Sequence, residues 1–183
     1  MLLPPNPPQA STFVPSAAEI WNKLSADQRE KAAFAFWSDP ELTAEHETAN
    51  QALAQSLHTR PKTVKGMPID RKSRLMLLHA GQPDRVLMAM LVAFHLRFRR
   101  TMLTGFLDLL EIKHHDGYIP EVDEATKPTP ERLAAAVAVL GAKFPSLDLL
   151  IYFACLVYQD PDFWSDLPAL AEDLSKRPSA RSD

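Results

Sequence analysis

Apolar side chains recur at three- and four-residue spacings through most of this chain, and the polar positions between them carry helix start signals. Ser16 with Glu19, and Ser25 with Gln28, fit the capping box, in which each side chain satisfies an orphan backbone N–H of the other residue. Asp39-Pro40-Glu41, Thr129-Pro130-Glu131 and Asp160-Pro161-Asp162 each place a capping residue before a proline at the first helical position, where its missing N–H costs nothing. The acid that follows suits the positive end of a helix. Ser146 reads as a further cap. Between these signals the spacing predicts helices at 17–24, 26–38, 41–57, 69–80, 84–114, 131–143, 147–159 and 162–175.

Strand signals are poor, because no hairpin dipeptide sits between alternating runs. The apolar stretch Leu147–Tyr158 is long for a buried strand and is followed by a helix signal, so it too reads as a helix. The expectation is an all-α bundle of about seven or eight helices. The first half of the segment 84–114 holds Val-Leu-Met-Ala-Met-Leu-Val-Ala-Phe, apolar all round, which predicts a long central helix enclosed by its neighbours, with Gly105 as the point where it bends or divides. Leu133–Leu140 and Leu149–Tyr158 supply the other walls of that core. A helical domain over 16–176 would then lie between a mobile proline-rich arm (1–15) and a flexible tail (177–183).

Composition narrows the class. The chain has 183 residues, 46% hydrophobic and 23% charged, which excludes a wholly disordered chain and a collagen-like fibre. A lone Cys155 permits no internal disulfide and fits a reducing compartment. The first fifteen residues hold five prolines and no charge, unlike a secretory signal, and no stretch reaches the ~18 apolar residues of a membrane span. A soluble cytoplasmic protein is expected.

Several chemistries drop out. The five glycines (66, 81, 105, 117 and 141) are never closer than twelve positions, so no glycine-rich loop can cradle a nucleotide phosphate. No Gly-x-Ser-x-Gly nucleophile elbow occurs. Cys155, within Phe-Ala-Cys-Leu-Val-Tyr, reads as a buried and inert thiol. A di-iron bundle needs two Glu-x-x-His units, and only Glu111…His114 is present. The cluster Glu111, His114, His115 and Asp116 is a weak candidate for a mononuclear metal or an acid–base site, completed by Glu45, His46 or Glu47. The same residues have a reading without metal: cations at a helix C-terminus, closed by Asp116-Gly117 as a left-handed stop. His79 and His95 read as core or boundary histidines. No cofactor is expected.

Charge is the uneven feature. The total of −3 divides into −4 over residues 1–59, +8 over 60–100 and −7 over 101–183. If helices 69–80 and 84–114 form an antiparallel hairpin about Gly81-Gln82-Pro83, one end of it gathers Lys62, Lys65, Arg71, Lys72, Arg97, Arg99 and Arg100. Arg71/Arg74 and Arg97/Arg100 then share faces at i,i+3. These cations either pair internally with acidic groups such as Asp108, Glu111 and the Glu121–Glu124 run, or serve an acidic partner, or contact phosphate. The 69–94 region superficially resembles a DNA-binding helix-turn-helix. Its second helix opens with Val86-Leu87-Met88-Ala89-Met90, which lacks polar groups to read base edges. The reading that emerges is a helical adaptor, regulator or assembly component, acting through a protein partner or self-association. The alternatives are nucleic-acid or anionic-ligand binding through the basic hairpin end and, more weakly, a metal-dependent enzyme at 111–116.

Overall fold

A computed structural model describes residues 16–78, 81–119 and 127–175. The proline-rich arm, the C-terminal tail, His79 and the Glu121–Glu124 run lie outside the described residues. Within them the chain is all-helical, with ten helices: α1 (Ala17–Lys23), α2 (Ala26–Ser38), α3 (Thr43–Ser56), α4 (Pro61–Lys65), α5 (Ile69–Leu78), α6 (Asp84–Phe98), α7 (Arg100–Leu109), α8 (Pro130–Gly141), α9 (Ser146–Gln159) and α10 (Leu167–Ser175). None is long and apolar enough to cross a membrane.

Local signals explain most helix starts. Both capping boxes form in full: Ser16 and Ser25 accept from the Glu19 and Gln28 N–H groups, and those side chains accept in return from the cap N–H. Thr129 caps α8 by accepting from the Arg132 N–H, with Pro130 following. Three other signals act differently. Asp39 accepts from the Glu41 N–H within a turn, and α3 starts later, at Thr43. Asp160 likewise accepts from the Phe163 N–H, and residues 161–166 form turns before α10 begins at Leu167. Ser146 is the first helical residue of α9 and Pro145 holds the cap position. An Asp-Pro-acid tripeptide serves an isolated turn as well as a helix start, since both use the same side-chain-to-backbone bond.

The 84–114 segment is two helices, and Gly105 is not the break. Arg99, at φ −128° and ψ 20°, ends α6 and begins α7. Its N–H donates to the His95 carbonyl, and its own carbonyl accepts from the Met102 and Leu103 N–H groups. α7 then stops at Leu109, well before Asp116-Gly117. Glu111 takes the left-handed conformation (φ 55°), its N–H donates to the Asp108 carbonyl and the Ile112 N–H donates to that of Leu107. That is a Schellman closure with a glutamate where glycine is usual. It turns Leu110 and Ile112 inward, and both are buried. Asp116 (φ 53°) and Gly117 (φ 91°) instead form a two-residue turn joining His115 to Tyr118 by reciprocal backbone bonds.

The expected α5–α6 hairpin is absent. Both helices pack on α2, which separates them, and they do not pack along each other. The buried side chains fall into two clusters. The first is built by α1–α6, and the second by α7–α10 with the segment after α7. α9 belongs to both: Ile151 and Cys155 enter the first cluster, while Leu149, Tyr152, Phe153, Leu156 and Val157 enter the second. The enclosed helix common to both cores is therefore α9, and not a single rod over 84–114.

Candidate functional site

The seven cations singled out by charge do not form one surface. Lys72 is turned inward on α5, only 9% exposed, with Nζ 4.0 Å from the centre of the Trp37 ring on α2. Burial lowers its pKa, and the ring's negative face offsets part of that cost. Arg99 pairs with Asp148 of α9 at 3.0 Å and lies over Phe94. Arg100 donates to the Leu96 carbonyl and to Asp116. Arg97 is exposed over Phe34, whose α2 position is one turn from Trp37. Lys72 and Arg97 thus flank α2 within a turn of each other, with α2 standing where the hairpin contact was expected.

What remains are the exposed cations at α4 and on α5. Arg60, Lys62, Arg71 and Arg74 are exposed, with no carboxylate partner among the described residues. Lys65 reaches Glu47 only at 3.9 Å, with both side chains largely in solvent. On α5 the buried side carries Lys72, Ser73 and Met76. Arg71, Arg74 and Leu78, at i, i+3 and i+7, occupy the opposite, solvent-facing stripe. Leu78 is 77% exposed, the most exposed large apolar side chain among the described residues. Charge counting finds the arginines; only the packing of α5 on α2 shows that Leu78 shares their face and that Lys72 does not.

The 111–116 cluster is dispersed by other bonds. Glu111 pairs with Arg132 of α8 (2.6 Å), which holds its carboxyl below the usual carboxylate range. Asp116 faces Arg100 at 3.3 Å. His114 accepts from the Gly117 N–H at Nδ1 and so donates from Nε2 to Asp108, at 3.1 Å. Glu45 binds Arg85, and His46 donates to the Phe36 carbonyl while stacking on Trp37. Among the described residues no three His, Cys, Asp or Glu side chains are placed to hold a metal ion.

A cavity of about 230 Å³, with no signal in the sequence, lies between α6, the start of α7, α9 and the two turns at 117–119 and 160–164. Its wall is mostly apolar, with Val92, Leu103, Leu156 and Trp164 among its members. Its buried polar groups are His95 (3% exposed) and Tyr152 (4%), their ring centres 5.7 Å apart, while Tyr118 and Gln159 are exposed members of the wall and Asp160 is half-buried. His95 Nδ1 donates to the Leu91 carbonyl at 2.7 Å, which leaves Nε2 as an acceptor. Burial pushes the imidazole pKa down to about 4, against the weaker raising effects of that carbonyl and of Asp148, so the ring is neutral at pH 7. Neither Nε2 nor the Tyr152 hydroxyl has a hydrogen-bond partner among the described residues. Trp37 Nε1 and Asn50 Oδ1 are also unpartnered, but those atoms are sealed in the core, whereas Nε2 and the hydroxyl are not. Cys155 lines the same space, its thiol pushed up to about 12 by burial. These groups escape a sequence reading because they come from different helices and match core composition one by one. Compared with protein-family models, with curated proteins and with solved structures, the chain matches none.

Proposed function

We propose that the chain works through protein–protein contact, as an adaptor, regulator or assembly component, and that the α4–α5 surface receives an acidic, amphipathic segment of the partner. One observation carries this reading: Arg71, Arg74 and Leu78 share an exposed face whose cations have no carboxylate of their own among the described residues. Elsewhere in the basic stretch Arg85, Arg99 and Arg100 are each matched within the fold. Phosphate would match the arginines but leave Leu78 idle. Bases would need exposed aromatic rings to stack on, and α4 and α5 contain none. An acidic helix with one leucine-sized side chain answers all three positions.

Magnitudes place the contact among transient ones. Exposed ion pairs contribute about 0.2–1 kcal/mol each, and full burial of a leucine about 1.5–3 kcal/mol. Such a contact is salt-sensitive and is reinforced by further surface or by multivalency.

The test uses a Glu-rich peptide helix with a central leucine, an isomer of scrambled sequence, and a single-stranded oligonucleotide of equal charge. The patterned peptide is expected to shift α5 amide resonances saturably. Arg71→Glu with Arg74→Glu should weaken it at least tenfold, and Leu78→Ser several-fold. Equal binding of the scrambled peptide, or no saturable shift at millimolar peptide, rejects the surface. Tighter oligonucleotide binding with a steep log–log salt slope transfers it to nucleic acid. A dimer abolished by the same charge reversal makes the partner a second copy.

A further inference from the structure

A cavity of about 230 Å³ is large to leave to solvent. At roughly 30 Å³ per molecule it would hold about eight waters, and each ordered buried water needs two to four polar partners. In its buried part His95 and Tyr152 offer one unused atom each and the surrounding wall is mostly apolar, the other polar members (Tyr118, Gln159 and Asp160) being exposed or half-buried. Water in this space is poorly bonded, so an apolar body that displaces it gains free energy. By comparison, an apolar cavity of about 150 Å³ accepts benzene. The space here takes one ring and a few further atoms.

The polar pair fixes what the ring must carry. Nε2 of the neutral His95 accepts a hydrogen bond and cannot donate one. The Tyr152 hydroxyl donates or accepts. A ligand hydroxyl has the chemistry for both, since it can donate to His95 and accept from Tyr152. A carboxylate finds no such match, because Asp160 stands on the cavity wall and no cationic side chain lines it, Arg99 facing Asp148 instead. An ammonium ion could reach Asp160, whose Oδ1 already accepts from the Phe163 N–H, but would lose its hydration along the mostly apolar wall beside His95 and Tyr152. A pure hydrocarbon would leave both polar atoms without partners.

We propose that this cavity is a binding site for a small neutral molecule made of one apolar ring and one hydroxyl group, a phenol or a monocyclic alcohol, held by His95 and Tyr152. It is independent of the α4–α5 surface and stands or falls separately.

The probes are p-cresol and p-xylene, nearly equal in shape and differing by the hydroxyl, with benzoate as the anionic control. Calorimetry and the Trp164 indole resonance report occupancy of the unmodified protein. p-Cresol is expected to bind at least tenfold more tightly than p-xylene and to move the Trp164 resonance, with benzoate weaker than both. Tyr152→Phe retains the ring packing and should reduce the p-cresol preference to less than about threefold while leaving p-xylene unchanged. Equal affinities for p-cresol and p-xylene overturn the proposal, as does benzoate binding more tightly than p-cresol, or the absence of saturable binding by any probe at millimolar concentration. These comparisons need no variant, so a Tyr152→Phe protein that fails to fold leaves the test intact.

Discussion

A left-handed backbone costs an L-residue roughly 1–2 kcal/mol, and glycine avoids most of it. His58 bears that cost at the end of α3, where φ is 50° and the His58 and Thr59 N–H groups close a Schellman motif on the Gln55 and Ala54 carbonyls. Its side chain is exposed, so His58→Gly removes little else. A gain of about 0.5–1 kcal/mol is expected after the glycine's extra freedom in the unfolded chain is counted. In a chain of this length that raises the thermal midpoint by a few degrees, which calorimetry reads. His95 works in the opposite sense. Its pKa falls from the ordinary 6.5 to about 4 on folding, chiefly because burial disfavours the cation. Between those values the unfolded chain binds a proton that the folded one does not, so stability falls as pH drops from about 6.5 to about 4. The full loss is about 3 kcal/mol. Urea midpoints at pH 7, 5.5 and 4.5 should decline along this limb, and His95→Leu should flatten it. Glu45 and Glu111, held below the ordinary 4.5 by Arg85 and Arg132, add to the decline in the same direction at the acid end of this window, and His95→Leu leaves that part in place.

Elements obey what is local and depart from it where two distant segments compete. The capping boxes of α1 and α2 and the Thr129 cap were legible because every atom involved lies within four residues. The break at Arg99 was not, since its reason is elsewhere. α6 serves the first cluster and α7 the second, and a straight helix cannot face both. Asp148, in the first turn of α9, secures that junction: it pairs with Arg99 at 3.0 Å and accepts from the Gln28 side chain of α2 at 3.2 Å. Asp148→Ala should therefore cost about 1–3 kcal/mol, as expected for a charged, largely buried group that accepts one hydrogen bond, from Gln28, and faces the Arg99 guanidinium as an ion pair. Arg132→Ala, which breaks the exposed pair with Glu111, should lower the midpoint far less, because solvent screens that pair. Similar denaturation midpoints for the two variants would show that Asp148 does not hold the junction. The same limit governed the basic stretch. Its charge was plain in the sequence, but α2 lying between α5 and α6 decided that Lys72 turns inward and Arg71 and Arg74 outward.

At the scale of the molecule, the question is whether two hydrophobic clusters behave as one folding unit. They are joined covalently at Arg99 and by packing through α9, whose Ile151 lies in the first cluster and Phe153 in the second, each about 1% exposed. α9 gains its full burial only when both neighbourhoods are in place, packing on α1 and α6 as well as on α8 and α10. Loss of either cluster strips one side of a helix that has few polar residues to face water with, so partial unfolding is costly. Ile151→Ala removes side-chain volume from the first cluster and should cost about 2–5 kcal/mol. If α9 couples the two halves, that loss appears in full on the other side. Each cluster holds its own reporter, Trp37 in the first and Trp164 in the second. In single-tryptophan proteins, the denaturation midpoints recorded by the two should coincide, and Ile151→Ala should lower both equally. A Trp164 midpoint left in place while that of Trp37 falls would instead mean that the clusters unfold separately, with α9 docked on the second alone.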